Sequence, residues 1–346
     1  MKTLILIIII TTGVFLMTAC GEKIETNQSS TTDAIGSEAT TIATTIASTE
    51  GTTETASEMA SGFETLFEIE LAEDPLNAPY GIAINSEDHI YISDAGNNRV
   101  LIFDAEGTLL DKWDKQGSVE GEFSTLGFGG IAIDGNDDVF VVDNANHRIQ
   151  KFDATGHFIT QWGTEGTAEG QFIRVIGITV DHDGQVYVTD DGNPYVQKFD
   201  NDGNFIMRFG GPDVGSGLFR HATGIAVDGE GFIYVADYET KLLQKFDALG
   251  NFIISWKMGE DIGITGTPEG IAIAPDGNLY VTDYDYGRLQ VFDSEGQFLW
   301  AIGDRLQSKN PFKRPTAAAF DSSGRLYVVN QSSGKITVVD VSDKMK

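Results

Sequence analysis

Asp94, Asp143, Asp190, Asp237, Asp283 and Asn330 recur on a fixed spacing, and Asp104, Asp153, Asp200, Asp247, Asp293 and Asp340 lie ten residues after them. Carboxylates in such number suggest acid–base chemistry or a divalent-cation site. A catalytic site, however, is a local asymmetry. A carboxylate present in every repeat answers a need of every repeat, here the backbone N–H groups left open at strand ends and turns. Both rows are therefore expected to be structural. Asp181-His182-Asp183-Gly184 and Asn201-Asp202-Gly203 hold fragments of a calcium loop without the further oxygen donors and the twelfth-position Glu of an EF-hand. The five histidines, His89, His147, His157, His182 and His221, stand at unrelated positions in their repeats, so no shared slot brings two together. A single cysteine excludes a disulfide framework and Cys-rich zinc or iron–sulfur centres.

The elements that position these residues come from self-similarity. Gly81-Ile-Ala-Ile, Gly130-Ile-Ala-Ile-Asp, Gly177-Ile-Thr-Val-Asp, Gly224-Ile-Ala-Val-Asp, Gly270-Ile-Ala-Ile and Ala317-Ala-Ala-Phe-Asp start six repeats of 46 to 49 residues. Each contains a β-rich run ending at the first Asp row, a second run ending in Phe-Asp-x-x-Gly in the first five repeats, and an aromatic-bearing third run. Gly, Asp and Asn at the breaks suit hairpin turns. Four short strands, a to d, in such a period make one blade of a β-propeller. The expected fold is all-β: six blades of four antiparallel strands. The sixth repeat stops after its third strand, and Phe63 to Leu71 is the candidate for the missing one, so residues 63–71 are expected to close the last blade.

The ends of the chain carry an address. Lys2 precedes an apolar run from Leu4 to Met17, too short to span a bilayer, and then Met17-Thr18-Ala19-Cys20. This resembles the lipobox of bacterial lipoproteins and implies a signal peptide over 1–20, lipidation of Cys20, and an extracytoplasmic protein anchored to the bacterial cell membrane. Residues 21–62 read as a disordered tether; Ser and Thr fill 17 of the 37 positions from 26 to 62, and no aromatic falls between Phe15 and Phe63. Residues 63–346 form the folded domain. With 52 acidic against 23 basic residues, the formal charge is −29. That balance argues against nucleic acid as a partner and against electrostatic docking on anionic lipid.

The pattern Pro-x-Gly-Ile-Ala-x-Asp, Tyr-Val-x-Asp, Asn-x-Arg-Ile-Gln-x-Phe-Asp, then Gly, with Gly121-Glu-Phe and Gly170-Gln-Phe ahead of the innermost strands, resembles the NHL-repeat family over about 79–346. The resemblance implies a propeller but not one function, since members include RNA- and protein-binding modules, receptor-kinase sensor domains and lyase relatives. Peptide-amidating lyases of related shape hold zinc with histidines where the innermost strand begins; here those positions are Tyr80, Gly129, Ile176, Thr223, Glu269 and Thr316, none of them His. Sugar lactonases hold calcium at the channel mouth with Glu, Asn and Asp, and Glu269 matches only the first of these roles.

Asymmetry is left to the loops. The b–c loops and d–a connections open on one face and carry Arg99, Arg148, Tyr195, His221, Tyr238, Tyr284 and Arg288, with Glu269 at the channel. Tyr and Arg gathered on one face of an acidic protein have the composition of an interface, and with equal weight the Arg residues are expected to pair with neighbouring blade carboxylates and the Phe residues of the d–a connections to plug the joints between blades. The reading is a monomeric, membrane-tethered, non-catalytic binding module for a protein, peptide or glycan, with no catalytic or metal-ligating residue assigned and no cofactor. The alternative is a divalent-metal envelope lyase or lactonase with calcium or zinc in the central channel. RNA binding is disfavoured by the acidic balance.

Overall fold

The computed structural model describes residues 63–211, 215–259, 263, 265–303 and 310–345; the leader, Cys20 and tether expected over 1–62 lie outside them. Six four-stranded antiparallel sheets stand as blades around a central channel. Blade 2 shows the pattern: strand a is Ile131–Ile133, b Val139–Asp143, c Arg148–Phe152 and d Phe158–Trp162. Strands b and c are buried along their whole length, because blades cover both faces of each, whereas outer strand d alternates between partly covered and exposed positions.

Blade 6 is built from both ends of the chain. The N-terminal strand Glu64–Ile69 pairs antiparallel with Lys335–Asp340, from Glu64 opposite Asp340 to Ile69 opposite Ile336. It supplies the strand that the sixth repeat lacks, inside the expected 63–71. The neighbouring joint shows that it does a strand d's work. At the c–d turns of blades 2 to 5, Gly156, Gly203, Gly250 and Gly296 adopt left-handed φ of +77° to +86°. A Cβ there would strike Trp113, Trp162, Phe209 and Trp256 on strand d of the preceding blade. At Gly107 of blade 1 the same place is taken by Ile69 of the N-terminal strand.

The repeat-start glycines have a second reason. Six inner strands converge on the axis, and a Cβ on Gly177, Gly224 or Gly270 would sit against the carbonyl oxygen of Thr223, Glu269 or Thr316 in the next blade. These glycines and their following isoleucines form the narrow waist of the channel. Phe123, Phe172 and Phe219, on the d–a connections, are fully buried against Phe152, Phe199 and Phe246 and seal the joints between blades.

Candidate functional site

Strand a begins on the face where strand b ends, so three slots of the repeat converge at that end of the channel. One precedes the waist glycine (Tyr80, Ile176, Thr223, Glu269). One lies two residues earlier (Arg174, His221, Arg314). One follows the first Asp row (Asp191, Tyr238, Tyr284, Gln331). Above the waist they enclose a cup of about 240 Å³, walled by Tyr80, Phe128, Tyr238 and Tyr284, with Glu269, His221, Arg174, Thr223, Ile176 and Gln331.

Of the residues expected on the ligand face, His221, Tyr238, Glu269 and Tyr284 meet in this cup. Arg99, Arg148 and Arg288 require a correction. They are buried, and each Nε donates to the Asp at its blade's strand end: Asp94 at 2.7 Å, Asp143 at 2.9 Å and Asp283 at 2.8 Å. Arg99 and Arg148 also tie strand c to the segment before strand a, through Asp74 and through the carbonyls of Ser118, Val119 and Glu122, and all three are buried away from a ligand. Tyr195 also stands outside the cup: it takes the arginine slot in blade 3, half-buried under the Arg208 guanidinium, 4.6 Å from its ring. The Asp row does the structural work expected of it. Asn77, Ser124, Ile173, Arg220 and Thr267 donate their backbone N–H groups to Asp94, Asp143, Asp190, Asp237 and Asp283, and Lys313 donates to the Asn330 amide oxygen. The second row closes the c–d turns, as where Asp153 accepts from the Thr155 and His157 amides.

Phe128, Arg174, Asp191 and Gln331 were missed by sequence reasoning, and Tyr80 was weighed only as a position lacking histidine. For Arg174, Asp191 and Gln331 the available signal was comparison of all three converging slots around the ring, where large polar and aromatic residues replace the Ala and Gly found at Ala78, Gly127, Gly129 and Ala95; Phe128 falls between two of these slots.

The polar floor is built in two parts. The Tyr80 hydroxyl donates to Glu269 Oε1, and both residues are buried. His221 Nε2 contacts Asp191 Oδ1 at 2.8 Å, and Arg174 pairs with the other Asp191 oxygen. Asp191 thereby fixes the His221 ring, which packs against Tyr238 at 5.3 Å between centroids. Across the cup the Tyr284 hydroxyl donates to Gln331 Oε1 at 2.6 Å. Loss of solvation, followed by the Arg174 charge, lowers the His221 pKa and favours neutral imidazole. Burial pushes Glu269 up from 4.5 to about 7, against the Tyr80 hydrogen bond and His221, which favour its charged form.

Glu269 therefore costs stability at alkaline pH. The folded state holds its proton between pH 4.5 and about 7 while the unfolded state does not, so stability falls as pH rises through that window. The penalty above pH 7 is on the order of 3 kcal/mol. Glu269→Gln should raise Tm by several degrees at pH 8 and leave it nearly unchanged at pH 4.5, read by thermal melts across pH. An equal shift at both values would refute the buried proton.

Comparison with family models gives a match to a six-bladed β-propeller family over residues 37–165 and to the NHL repeat over 219–246 and 265–292. The latter two stretches fall on strands a to c of blades 4 and 5 and include the waist glycines Gly224 and Gly270. The chain is a six-bladed β-propeller that carries NHL repeats. A comparison with curated proteins finds no match. Among solved structures, the NHL propeller is similar to a streptogramin B lyase at 15% identity and TM-score 0.59, over 82% of this chain and 99% of that one. It is also similar to a gluconolactonase from Xanthomonas campestris (18%, TM-score 0.58, over 80% and 88% of the two chains). A catalytically inactive histidine-to-alanine variant of virginiamycin B lyase from Staphylococcus aureus with quinupristin gives 15% and TM-score 0.57, over 82% and 90%. At such identities the likeness is one of fold.

The channel residues of the NHL propeller do not fit a divalent cation. Among the described residues no three His, Cys, Asp or Glu side chains are grouped to hold one. Glu269 accepts from a phenol, and the one carboxylate beside His221 is taken by Arg174. The donor set needed for calcium or a structural or catalytic zinc is missing from the cup.

Proposed function

We propose that the NHL propeller is a carbohydrate-recognition module that holds a terminal sugar ring of a glycan in the mouth of its channel. The observation that carries this reading is the cup itself: four aromatic rings around a floor of carboxyl, imidazole and amide groups. Aromatic faces cover the apolar side of a sugar ring while fixed polar groups take its hydroxyls. The volume, about 240 Å³, lies below that of drug-sized pockets and suits one ring rather than an extended chain. Glu269, its pKa pushed up to about 7, keeps its proton below neutrality and there both donates and accepts, as hydroxyl recognition requires. The sequence supports a monomer carried outside the cytoplasm by a lipidated Cys20 and a flexible tether, with neither nucleic acid nor a metal cofactor as partner.

Isothermal titration calorimetry of the full-length protein against a panel of hexoses and short glycans tests it. Tyr238→Ala with Tyr284→Ala should weaken binding at least tenfold and leave Tm within a few degrees of the parent. Unchanged affinity in the double variant, or no binding to any member of the panel, would overturn the reading.

A second reading is favoured by one observation: Glu269 retains a proton near neutrality beside a neutral, Asp191-oriented His221. That pair suits metal-free proton transfer, with His221 as base and Glu269 as acid. The solved lyase and gluconolactonase share the fold. Conversion of a bound sugar derivative, lost in Glu269→Gln with binding retained, would support it over simple recognition.

A further inference from the structure

We propose that the ligand site has a second compartment, lined by Lys313 and Arg314, that takes an anionic group, so that the preferred ligand is an acidic sugar: a hexuronic acid or a hexose phosphate. This rests on the carbohydrate reading and adds the ligand's charge.

A niche of about 180 Å³ adjoins the cup and shares Tyr284 as a common wall. Lys313, Arg314 and Ser332 line it. Both cationic side chains are exposed, and neither has a carboxylate partner among the described residues. In a chain with formal charge −29, Arg99, Arg148, Arg174, Arg220, Arg288 and Arg325 pair with Asp or Glu, whereas Arg314 and Arg208 lie over tyrosine rings. The one acid in the niche, Asp285, accepts from the Thr267 hydroxyl at 2.8 Å.

Arg314 is placed at a cost. Its φ is +53°, a left-handed conformation that Ala78 and Gly127 occupy in the same slot of blades 1 and 2. A long side chain there gains nothing for the turn. Its guanidinium lies 5.4 Å from the Tyr284 ring, over the wall between the two cavities. Ring stacking leaves the N–H fork free to bind a carboxylate or phosphate edge-on, and Lys313 adds a point charge. A sugar ring in the cup with a charged substituent reaching past Tyr284 would meet both.

The test is calorimetry of the full-length protein with neutral hexoses, hexuronic acids and hexose phosphates at low and high salt. At low salt at least one acidic class should bind roughly tenfold or more tighter than its neutral counterpart, with the advantage shrinking in high salt. Which class leads tells carboxylate from phosphate. Lys313→Ala with Arg314→Ala should erase the advantage, bringing acidic-sugar affinity to that of the neutral counterpart in the same variant, with Tm within a few degrees of the parent. Equal binding of neutral and acidic sugars by the parent overturns the second compartment and leaves the cup intact. Persistence of the preference in the double variant does the same. If no sugar of any class binds, the carbohydrate reading falls and this proposal with it.

Discussion

A chain lacking residues 63–71 should melt about 10 °C or more below the full-length protein, in one cooperative transition. The deleted strand holds the ladder to Lys335–Asp340 and the seam with blade 1. Ile69 is 2% exposed and shares a core with Ile82, Ile90, Leu101, Phe103, Ile336 and Val338, which belong to both sides of that seam. Removing one such side chain costs about 2–5 kcal/mol, and the deletion also strips the partner strand of its edge hydrogen bonds. The Lys335 pairs with Glu68 and Glu70 are solvent-exposed and add little. Ile69→Ala should reproduce part of the loss, while Leu66→Ala, on the same strand but 40% exposed, should change Tm hardly at all. Calorimetric scans of the three variants decide it. A deletion variant that melts like the parent would show that the ring does not depend on this strand.

Asp143→Ala should cost about 3–5 kcal/mol without any effect specific to ligand binding. Asp143 is fully buried, pairs with Arg148 Nε at 2.9 Å and accepts from the Ser124 amide and the Asn146 side chain. Its loss leaves Arg148, 6% exposed, held only by neutral acceptors: the carbonyls of Ser118, Val119 and Glu122 and the Gln161 side chain. A buried cation without its counter-charge is among the most costly single defects. Asp183→Ala, at a turn where the side chain is 81% exposed, is the matched control and should stay within about 0.5 kcal/mol. Denaturant titration gives both numbers. A variant at Asp143 that kept its stability and lost ligand affinity would return the Asp row to the list of functional groups.

Glu269 and the arginines show where reading residues alone stopped. Arg99, Arg148 and Arg288 open strand c just after the b–c loops of an acidic protein and, as residue types, have the composition of a contact surface. Their burial follows from a pairing five residues apart, across a b–c hairpin that turns Arg and Asp toward each other. Arg174, by contrast, sits in a slot that Ala78 and Gly127 occupy elsewhere in the ring. Its partner Asp191 follows one of the Asp-row residues, and each looks ordinary within its own repeat.

The amino-acid sequence by itself determined the blade count, the four-strand unit, the turn chemistry and the closure through residues 63–71. The first three are periodic: each turn, strand end and joint poses the same steric and hydrogen-bonding problem, and the solution is repeated from blade to blade; the closure is legible because the sixth repeat lacks one of its four strands. Tertiary structure alone decided the site. Tyr80 and Glu269 are 189 positions apart along the chain, and only the closing of the ring brings that hydroxyl onto that carboxyl. Departures from a repeat become a cup when six strands meet at one axis, and the burial created there, absent from any single blade, lifts the Glu269 pKa.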